Sequence, residues 1–225
     1  MVKFITTGYE RSATRSSILE GSVKDHKHPT VHGVGYDSTG IHKKSHPFSG
    51  GKTKAYQVWR DMLRRGYCSK YKKKRITYVN CKVVECWHDF QVFAEWFYGN
   101  YREGYALDKD ILKKGNLTYC PDLCVFIPPS LNSLLVNQVG KCRTKLPVGV
   151  TKTPSGTFTS YCNNGEGVTK NLGTFDKVQN AADAYCVYKE ALIKKLAYSH
   201  FESGNINSRA RDSLLKYKID SAPKQ

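Results

Sequence analysis

The sequence predicts an α+β protein in which a strand–strand–helix unit with flanking helices precedes a three-stranded sheet packed on one helix. Two segments, residues 53–65 and 87–98, carry apolar side chains at helical spacing. Short strand patterns separated by Gly, Asn and Pro turns follow between residues 105 and 175. We expect four segments: a polar basic N-terminal arm (1–50), a first domain (51–140), a second domain (145–200) and a basic tail (201–225).

The N-terminal arm is rich in Gly, Ser, Thr, His and Lys, and its only strand patterns are the weak ones at Val2–Thr6 and Val31–Tyr36. It holds five of the seven histidines. No paired cysteines or carboxylates accompany them, so the pattern favours a solvated arm over a metal site.

Two amphipathic helices follow the arm. Thr53 is expected to cap the first, which runs to about Arg65. The second covers residues 87–98, and we expect it to pack on the first. Their predicted core faces are Tyr56, Trp59, Met62 and Leu63 in the first, and Trp87, Phe90, Phe93 or Ala94, and Phe97 in the second.

A basic run with one aromatic residue, 70–75, separates the two helices. It is either a solvated loop or a segment that binds phosphates, because lysine and arginine neutralise phosphate charge. The candidate DNA-binding residues here are Arg64, Arg65, Lys72, Lys73, Lys74 and Arg75.

Residues 105–132 carry the pattern most typical of a catalytic site. Side chains alternate along a strand, so Asp108 and Asp110 are expected on one face and Lys109 on the other. The prolines before Asn132 suit the start of a helix, which places Asn132 in its first turn. A hairpin stacked on that helix can bring Asp108 and Asn132 to one Mg²⁺ ion. Asn116, after a glycine, is expected to bond backbone groups and fix the loop.

This order resembles the ββα-metal (H-N-H) endonucleases, especially the free-standing homing endonucleases of bacteriophages, over roughly residues 55–137. The resemblance implies a small nuclease domain at 51–140. It implies that Asp108 and Asn132 bind Mg²⁺ or another divalent metal, and that Asn116 is the loop asparagine. Lys109 stands where the family has its water-activating histidine.

The identity of the base therefore stays open, because a protonated lysine is a poor base. Lys109 loses its proton through burial and the metal, or Asp110 is the base, or the site has lost activity. His88, in the second helix, is a further candidate for the imidazole.

The second domain begins with strands at 149–150, 156–161 and 168–175, with hairpin-turn chemistry at 163–165. Asp176 and Gln179 resemble a capping box that starts a helix to about Tyr198. The helix face expected in the core contains Ala181, Ala184, Tyr185, Tyr188 and Leu192.

This unit resembles the Apetala (ethylene-response-factor) DNA-binding fold, through Gly149-Val150, Leu172-Gly173-Thr174-Phe175 and the alanine-rich helix. The resemblance implies a sheet laid in the major groove and braced by its helix. The residues expected to face bases or phosphates are Lys152, Thr157, Thr159, Tyr161 and Lys170. A linker is expected at 141–147, and one helical stretch at 210–217 in the tail.

Two cysteine pairs bracket the predicted metal site. Cys81 with Cys86, and Cys120 with Cys124, are possible ligands of a structural Zn²⁺. Neither pair has the usual Cys-x-x-Cys spacing, so buried free thiols are the favoured interpretation.

Composition indicates a globular protein with a polyanionic partner. The net charge is +17, from 36 Lys+Arg against 19 Asp+Glu, and 40% of residues are hydrophobic. A basic protein that neutralises phosphates releases their counterions, which favours binding. We therefore expect double-stranded DNA as the partner, and we expect the protein to be a monomer. The first residues lack the apolar core of a signal peptide, and no apolar run approaches the ~20 residues of a membrane span. We expect no membrane partner and a cytoplasmic location, in the host cell if the chain is phage-encoded.

These observations predict a metal-dependent DNA endonuclease, a hydrolase of phosphodiester bonds that nicks one strand in the manner of homing enzymes. The alternative is a non-catalytic duplex DNA-binding protein on a degenerate H-N-H scaffold. RNA binding ranks third, because no single-strand stacking sheet is evident.

Overall fold

Helices and small sheets alternate along the chain in the computed structural model, which has the predicted α+β class. The structure describes residues 1–135, 146–165 and 167–219. Most of the predicted linker (141–145) and the end of the tail (220–225) lie outside these ranges. The helices are α1 (Arg15–Leu19), α2 (Lys54–Tyr67), α3 (Ser69–Lys74), α4 (Phe90–Asn100), α5 (Pro129–Leu135), α6 (Val178–Glu202) and α7 (Ser208–Leu215). The strands are β1 (Val2–Lys3), β2 (Glu10–Arg11), β3 (Lys82–Val83), β4 (Ala106–Asp108), β5 (Thr118–Tyr119), β6 (Val125–Ile127), β7 (Val150–Lys152), β8 (Phe158–Asn163) and β9 (Thr169–Phe175).

The chain divides into two compact units whose bounds differ from the four predicted segments. Unit 1 combines Met1–Tyr101 with Gly115–Cys124. Unit 2 combines Arg102–Lys114 with the described residues from Val125 onward. The β4–β6 hairpin and α5 therefore share a unit with the three-stranded sheet. No helix of the described ranges is long and apolar enough to cross a membrane.

The two predicted helices form the centre of unit 1. The Thr53 side chain caps α2 by accepting from the Tyr56 backbone N–H at 3.4 Å. Trp59 is fully buried, and its indole donates to the Trp87 carbonyl at 2.8 Å. Because Asp89 caps α4 from outside, the helix begins at Phe90 rather than at Trp87, which lies in a preceding 3₁₀ turn. The predicted packing of α2 on α4 is confirmed.

Part of the predicted N-terminal arm packs on α2. The chain reverses at Val31–Gly35, and the Gly35 backbone lies against Trp59 and Leu63. A Cβ at position 35 would come within 2.4 Å of Leu63 Cδ1, so only glycine fits this contact. The Tyr36 carbonyl then accepts from the Phe90 N–H at 2.9 Å, which ties the arm to the start of α4.

The basic run is helical, so its interpretation as a loop is wrong. Cys68 has an extended backbone conformation that separates α2 from α3. Helical hydrogen bonding resumes over residues 69–74. Lys72 explains part of this order: its Nζ donates to the Val79 and Cys81 carbonyls at 3.0 and 3.3 Å. Lys72 therefore holds the loop that follows α3.

In unit 2, β4 and β6 pair antiparallel, with Asp108 opposite Val125, and α5 follows with Pro129 as its first residue. This is the predicted strand–strand–helix order. The apolar side of α5 shares a core with α6 and α7. Its fully buried members include Ile127, Leu131, Ile193 and Leu214.

The three-stranded sheet has the order β7-β8-β9, is antiparallel throughout, and packs on α6 as predicted. Val150, Ala181 and Ala182 form the buried centre of this contact. The predicted capping box is absent, because Gln179 donates to Asp183 at 2.8 Å and α6 starts without a side-chain cap.

Candidate functional site

Asp108 ends strand β4 and turns the chain away from the sheet. Its Oδ1 accepts from the Asp110 and Ile111 backbone N–H groups at 2.7 and 2.8 Å. Burial raises the pKa of Asp108, and these two N–H groups oppose that shift. No described residue donates a hydrogen bond to Oδ2. Within the described ranges, the hydrogen bonds to this carboxylate thus all go to Oδ1.

The expected sharing of one strand face by Asp108 and Asp110 is wrong. The Asp108 side chain takes the next two free N–H groups, so β4 ends before residue 110. Lys109, expected on the opposite face of the strand, is instead buried, and its Nζ lies 2.7 and 2.8 Å from the two Asp110 carboxylate oxygens. Asp110 is half exposed and belongs to this ion pair.

Asn132 lies in the first part of α5, where its N–H donates to the Pro128 carbonyl at 3.1 Å. Its half-buried side chain makes no hydrogen bond to any residue that the structure describes. Helix α5 packs against β4, so Asp108 and Asn132 belong to one strand–helix assembly. Both therefore offer an oxygen without a described protein donor.

Asn116 fixes its loop as expected. The amide donates to the Thr118 carbonyl at 2.7 Å, and its oxygen accepts from the Thr118 N–H at 3.0 Å. This two-way bond holds the chain immediately before β5, which pairs with β3. Asn116 belongs to unit 1 by its contacts, whereas Asp108 and Asn132 belong to unit 2.

His88 also belongs to unit 1. Its Nε2 lies 2.8 Å from the Tyr67 hydroxyl, and the two rings are 5.3 Å apart. Burial lowers the pKa of His88, so the imidazole is neutral near pH 7. The structure thus gives His88 a bond to Tyr67.

The candidate zinc cysteines differ in exposure: Cys81 and Cys124 are buried, Cys120 is half buried and Cys86 is exposed. Across residues 1–135, 146–165 and 167–219, no group of three or more His, Cys, Asp or Glu is placed to hold a metal.

Two of the predicted DNA-binding arginines are packed among tyrosines. Arg64 lies over the Tyr71 ring at 4.9 Å. Arg65 lies over Tyr78 at 5.7 Å and donates to the Tyr119 hydroxyl at 3.4 Å. Burial alone would lower the pKa of Arg65, but Tyr119 and its neighbours raise it above the ordinary value. Arg65 is therefore a permanent cation that holds unit 1 together.

Apart from Lys72, whose Nζ is bonded to the Val79 and Cys81 carbonyls, the remaining cations of this segment face solvent. Lys73, Lys74 and Arg75 are exposed at the end of α3. Lys70, near the start of α3, and Arg60, on α2, are also exposed and were not among the candidate residues. Residues 52–75 contain ten Lys+Arg and one Asp+Glu. The signal that identifies Arg60 is this charge excess on the outer side of α2. We call the exposed cations of α2 and α3 the basic helix surface.

The sheet places its predicted contact residues on different sides. Lys152 pairs with Phe158 and Lys170 with Cys162, and these partners belong to the face that packs on α6. Lys170 Nζ lies 5.1 Å from the Tyr188 ring of α6. Lys152 and Lys170 therefore lie on the side of the sheet opposite to Thr159, so the expectation that all these candidates share one face is wrong.

The open face of the sheet is polar and uncharged. Thr151, Thr159 and Thr174 lie side by side across the strands, and the Thr159 and Thr174 hydroxyls are 3.2 Å apart. Thr159 is buried, whereas Tyr161 is exposed beyond a bulge. The predicted contact residue Thr157 lies in the β7–β8 turn, bonded to Thr153 at 2.7 Å.

Comparisons with protein-family models, curated proteins and solved structures find no match to this chain.

Proposed function

We propose that this chain is a metal-dependent endonuclease that binds double-stranded DNA as a monomer and nicks it by hydrolysing a phosphodiester bond. The observation that carries this proposal is the pair Asp108 and Asn132, which share the β4–β6–α5 assembly and have no described donor on Asp108 Oδ2 or on the Asn132 oxygen. The proposed location is the cytoplasm, of the host cell if the chain is phage-encoded.

The donor set fits a hard divalent cation. Carboxylate and amide oxygens, completed by water and phosphate, are the ligands that Mg²⁺ prefers. The backbone N–H groups of Asp110 and Ile111 fix the Asp108 carboxylate, so it need not reorganise to bind. When bound, Mg²⁺ stabilises the negative charge that develops on phosphate oxygens during hydrolysis.

The Lys109–Asp110 ion pair is the main support for a second candidate function, duplex DNA binding without catalysis. The Asp110 carboxylate can accept a proton from water only when its ion pair with Lys109 opens. Both oxygens of Asp110 lie within 2.8 Å of Nζ, so this opening has a free-energy cost. A chain that keeps the pair closed would bind DNA and leave it intact.

The basic helix surface is the proposed holding site for the DNA backbone. Lys73, Lys74 and Arg75 are exposed cations on consecutive positions. Such contacts position a duplex without reading its sequence.

A supercoiled-plasmid assay with and without Mg²⁺ tests the enzyme. We expect nicking that requires Mg²⁺, and a loss of about 100-fold in Asp108→Asn, which removes the negative charge of one metal ligand, and in Asn132→Ala, which removes the other ligand. Asp183→Asn, an exposed carboxylate on α6, is the matched control and should nick as the wild type does.

The outcomes separate the two candidates. Metal-dependent nicking that survives both ligand variants would refute the site. DNA binding by the wild type without nicking at any metal concentration would refute the enzyme and support the binding protein. Asp110→Asn with retained metal binding and lost nicking would identify Asp110 as the base.

A further inference from the structure

A short loop immediately before α2 presents one aromatic ring entirely to solvent. The loop spans His46–Gly51, and Phe48 at its tip is 102% exposed. Phe90, Phe93 and Phe97, by contrast, are fully buried in the same unit. The Phe48 ring contributes nothing to the core.

Hydrogen bonds fix the shape of this loop. His46 N–H donates to the Gly51 carbonyl at 2.8 Å, and Gly50 N–H donates to the His46 carbonyl at 3.1 Å. Gly50 has φ +65, a conformation that favours glycine and closes the turn. Ser45 and Lys52 form a bridge below the tip. The exposure of Phe48 therefore follows from an ordered turn.

The loop is also anchored to α2. Thr53, which caps α2 with its hydroxyl oxygen, donates that hydroxyl to the Lys43 carbonyl at 3.0 Å. Its backbone N–H donates to the Lys44 carbonyl at 3.0 Å. The Phe48 tip is thus connected rigidly to the helix that carries part of the basic helix surface.

Charge indicates what the ring meets. Residues 38–60 contain five Lys+Arg and no Asp+Glu, and one of the five, Lys44, is paired with Asp37 at 2.8 Å. Ile5 is equally exposed, at 100%, at the tip of the Phe4–Tyr9 turn. That turn is flanked by the neutral pair Lys3–Glu10, with 2.8 Å between the charged atoms. Exposure is common to both tips, and the cationic surroundings belong to Phe48 alone of the two.

We infer that Phe48 is a wedge that inserts between adjacent base pairs of the duplex bound by the neighbouring lysines. This inference rests on the proposed DNA binding. Apolar side chains on basic proteins unstack base steps in this way and bend the duplex. Pyrimidine–purine steps open most easily, so the wedge should prefer them. Phe48 would then mark one position along the DNA, while the lysines hold the backbone on either side.

The test uses the full chain and a short duplex with 2-aminopurine beside a central TA step. Fluorescence anisotropy of an end-labelled copy measures affinity, and 2-aminopurine emission measures unstacking. We expect the wild type to raise the emission on binding. Phe48→Ala should abolish that rise and weaken binding roughly 10-fold. Phe48→Leu, which keeps an apolar wedge, should retain part of both.

Ile5→Ala is the matched control and should change neither readout. If the wild type does not bind the duplex, the proposed function fails. If it binds and Phe48→Ala leaves the emission rise intact, the wedge is refuted while DNA binding stands. A third arm uses vesicles with anionic headgroups: Phe48-dependent vesicle binding, without Phe48-dependent unstacking, would overturn the inference in favour of a membrane surface.

Discussion

The basic helix surface and the open face of the three-stranded sheet differ most in charge. Residues 52–75 hold ten Lys+Arg against one Asp+Glu, whereas residues 146–202 hold six against five. The sheet presents threonines and Tyr161, and its lysines at 152 and 170 belong to the side of α6. For the proposed DNA binding, we therefore expect backbone attraction and base contacts, which one domain often combines, on different surfaces.

The expected likeness of the sheet to a DNA-binding fold therefore does not say which surface would contact the phosphates of a bound duplex. For the proposed DNA binding, the charge distribution favours the basic helix surface, because attraction to a duplex depends on exposed cations. The sheet retains hydrogen-bonding groups that suit base edges. We expect the helices to supply affinity and the sheet to supply selectivity.

The largest effect is expected from the triple variant Lys73→Gln, Lys74→Gln and Arg75→Gln. It should weaken duplex binding on the order of 100-fold at low salt and reduce the salt slope by about 2 to 3. Lys152→Gln with Lys170→Gln is the matched control and should cost less than about threefold. Anisotropy titrations over a series of salt concentrations measure both. Equal losses of duplex affinity in the two variants would show that the two surfaces do not differ in their attraction to DNA.

The next effect separates structural from binding cations within α2. Arg65→Gln removes the contacts to Tyr78 and Tyr119 and should lower the free energy of unfolding by about 2 kcal/mol. DNA affinity of the folded protein should change little. The exposed Arg60→Gln should show the opposite profile. Chemical denaturation and anisotropy on both variants test this, and a matched loss of affinity in the two would contradict it.

A smaller effect concerns the open face of the sheet. Tyr161→Ala removes its exposed aromatic group and should reduce discrimination between preferred and scrambled duplexes by about 1 kcal/mol. The salt slope should stay unchanged, since no charge is lost. Selection from a random duplex pool, followed by competition titrations, provides the measurement. Unchanged discrimination would leave the sheet without a reading role.

The smallest effect concerns α6 behind the sheet. Lys218 and the Ile219 N–H lower the pKa of Glu190, although burial opposes them. Because the folded pKa is lower than the unfolded one, the stabilisation is present above the unfolded pKa and is lost as pH falls through the folded pKa. Glu190→Gln should therefore be less stable than the wild type at pH 7, by about 0.5 kcal/mol, and equal to it in acid. Thermal unfolding across this range measures the difference; a constant difference would contradict the assignment.

Periodic patterns predicted the existence of α2 and α6 and the buried face of α2. The predicted face of α6 is only partly right: Ala181 and Tyr185 are buried, whereas Ala184, Tyr188 and Leu192 are half-buried and Ile193 and Ala197 lie in the core instead. The β3–β5 pair was not predictable, since two-residue strands have no period and their partners are distant in sequence. The hairpin before α5 was predicted from its turn residues. Its charged end was not, because the Asp108 side chain competes with strand pairing for two backbone N–H groups.

The sequence also did not predict which side chains lie on which face of the three-stranded sheet. The strands of β7 to β9 were predicted, but the side on which Lys152 and Lys170 lie depends on register. A shift of one residue exchanges the two faces, and the bulge opposite Ser160/Tyr161, where Leu172 of β9 has no partner in β8, introduces such a shift in β9. Composition, which needs no register, identifies residues 52–75 as rich in cations, but it does not separate the exposed Lys73 and Lys74 from Arg65, which is held by protein contacts.

The alternation of the chain between the two units has a consequence for protein synthesis. Unit 1 lacks strand β5 until residues 118–119 have been made. The apolar side of α5, with Leu131 and Leu134, is covered only after Ile193 and Leu214 have been synthesised. Ribosomes add roughly 5–20 residues per second, so this surface remains open for several seconds after it is made. Factors that bind nascent apolar segments therefore have a defined interval for contact, which begins with α5 and closes with α7.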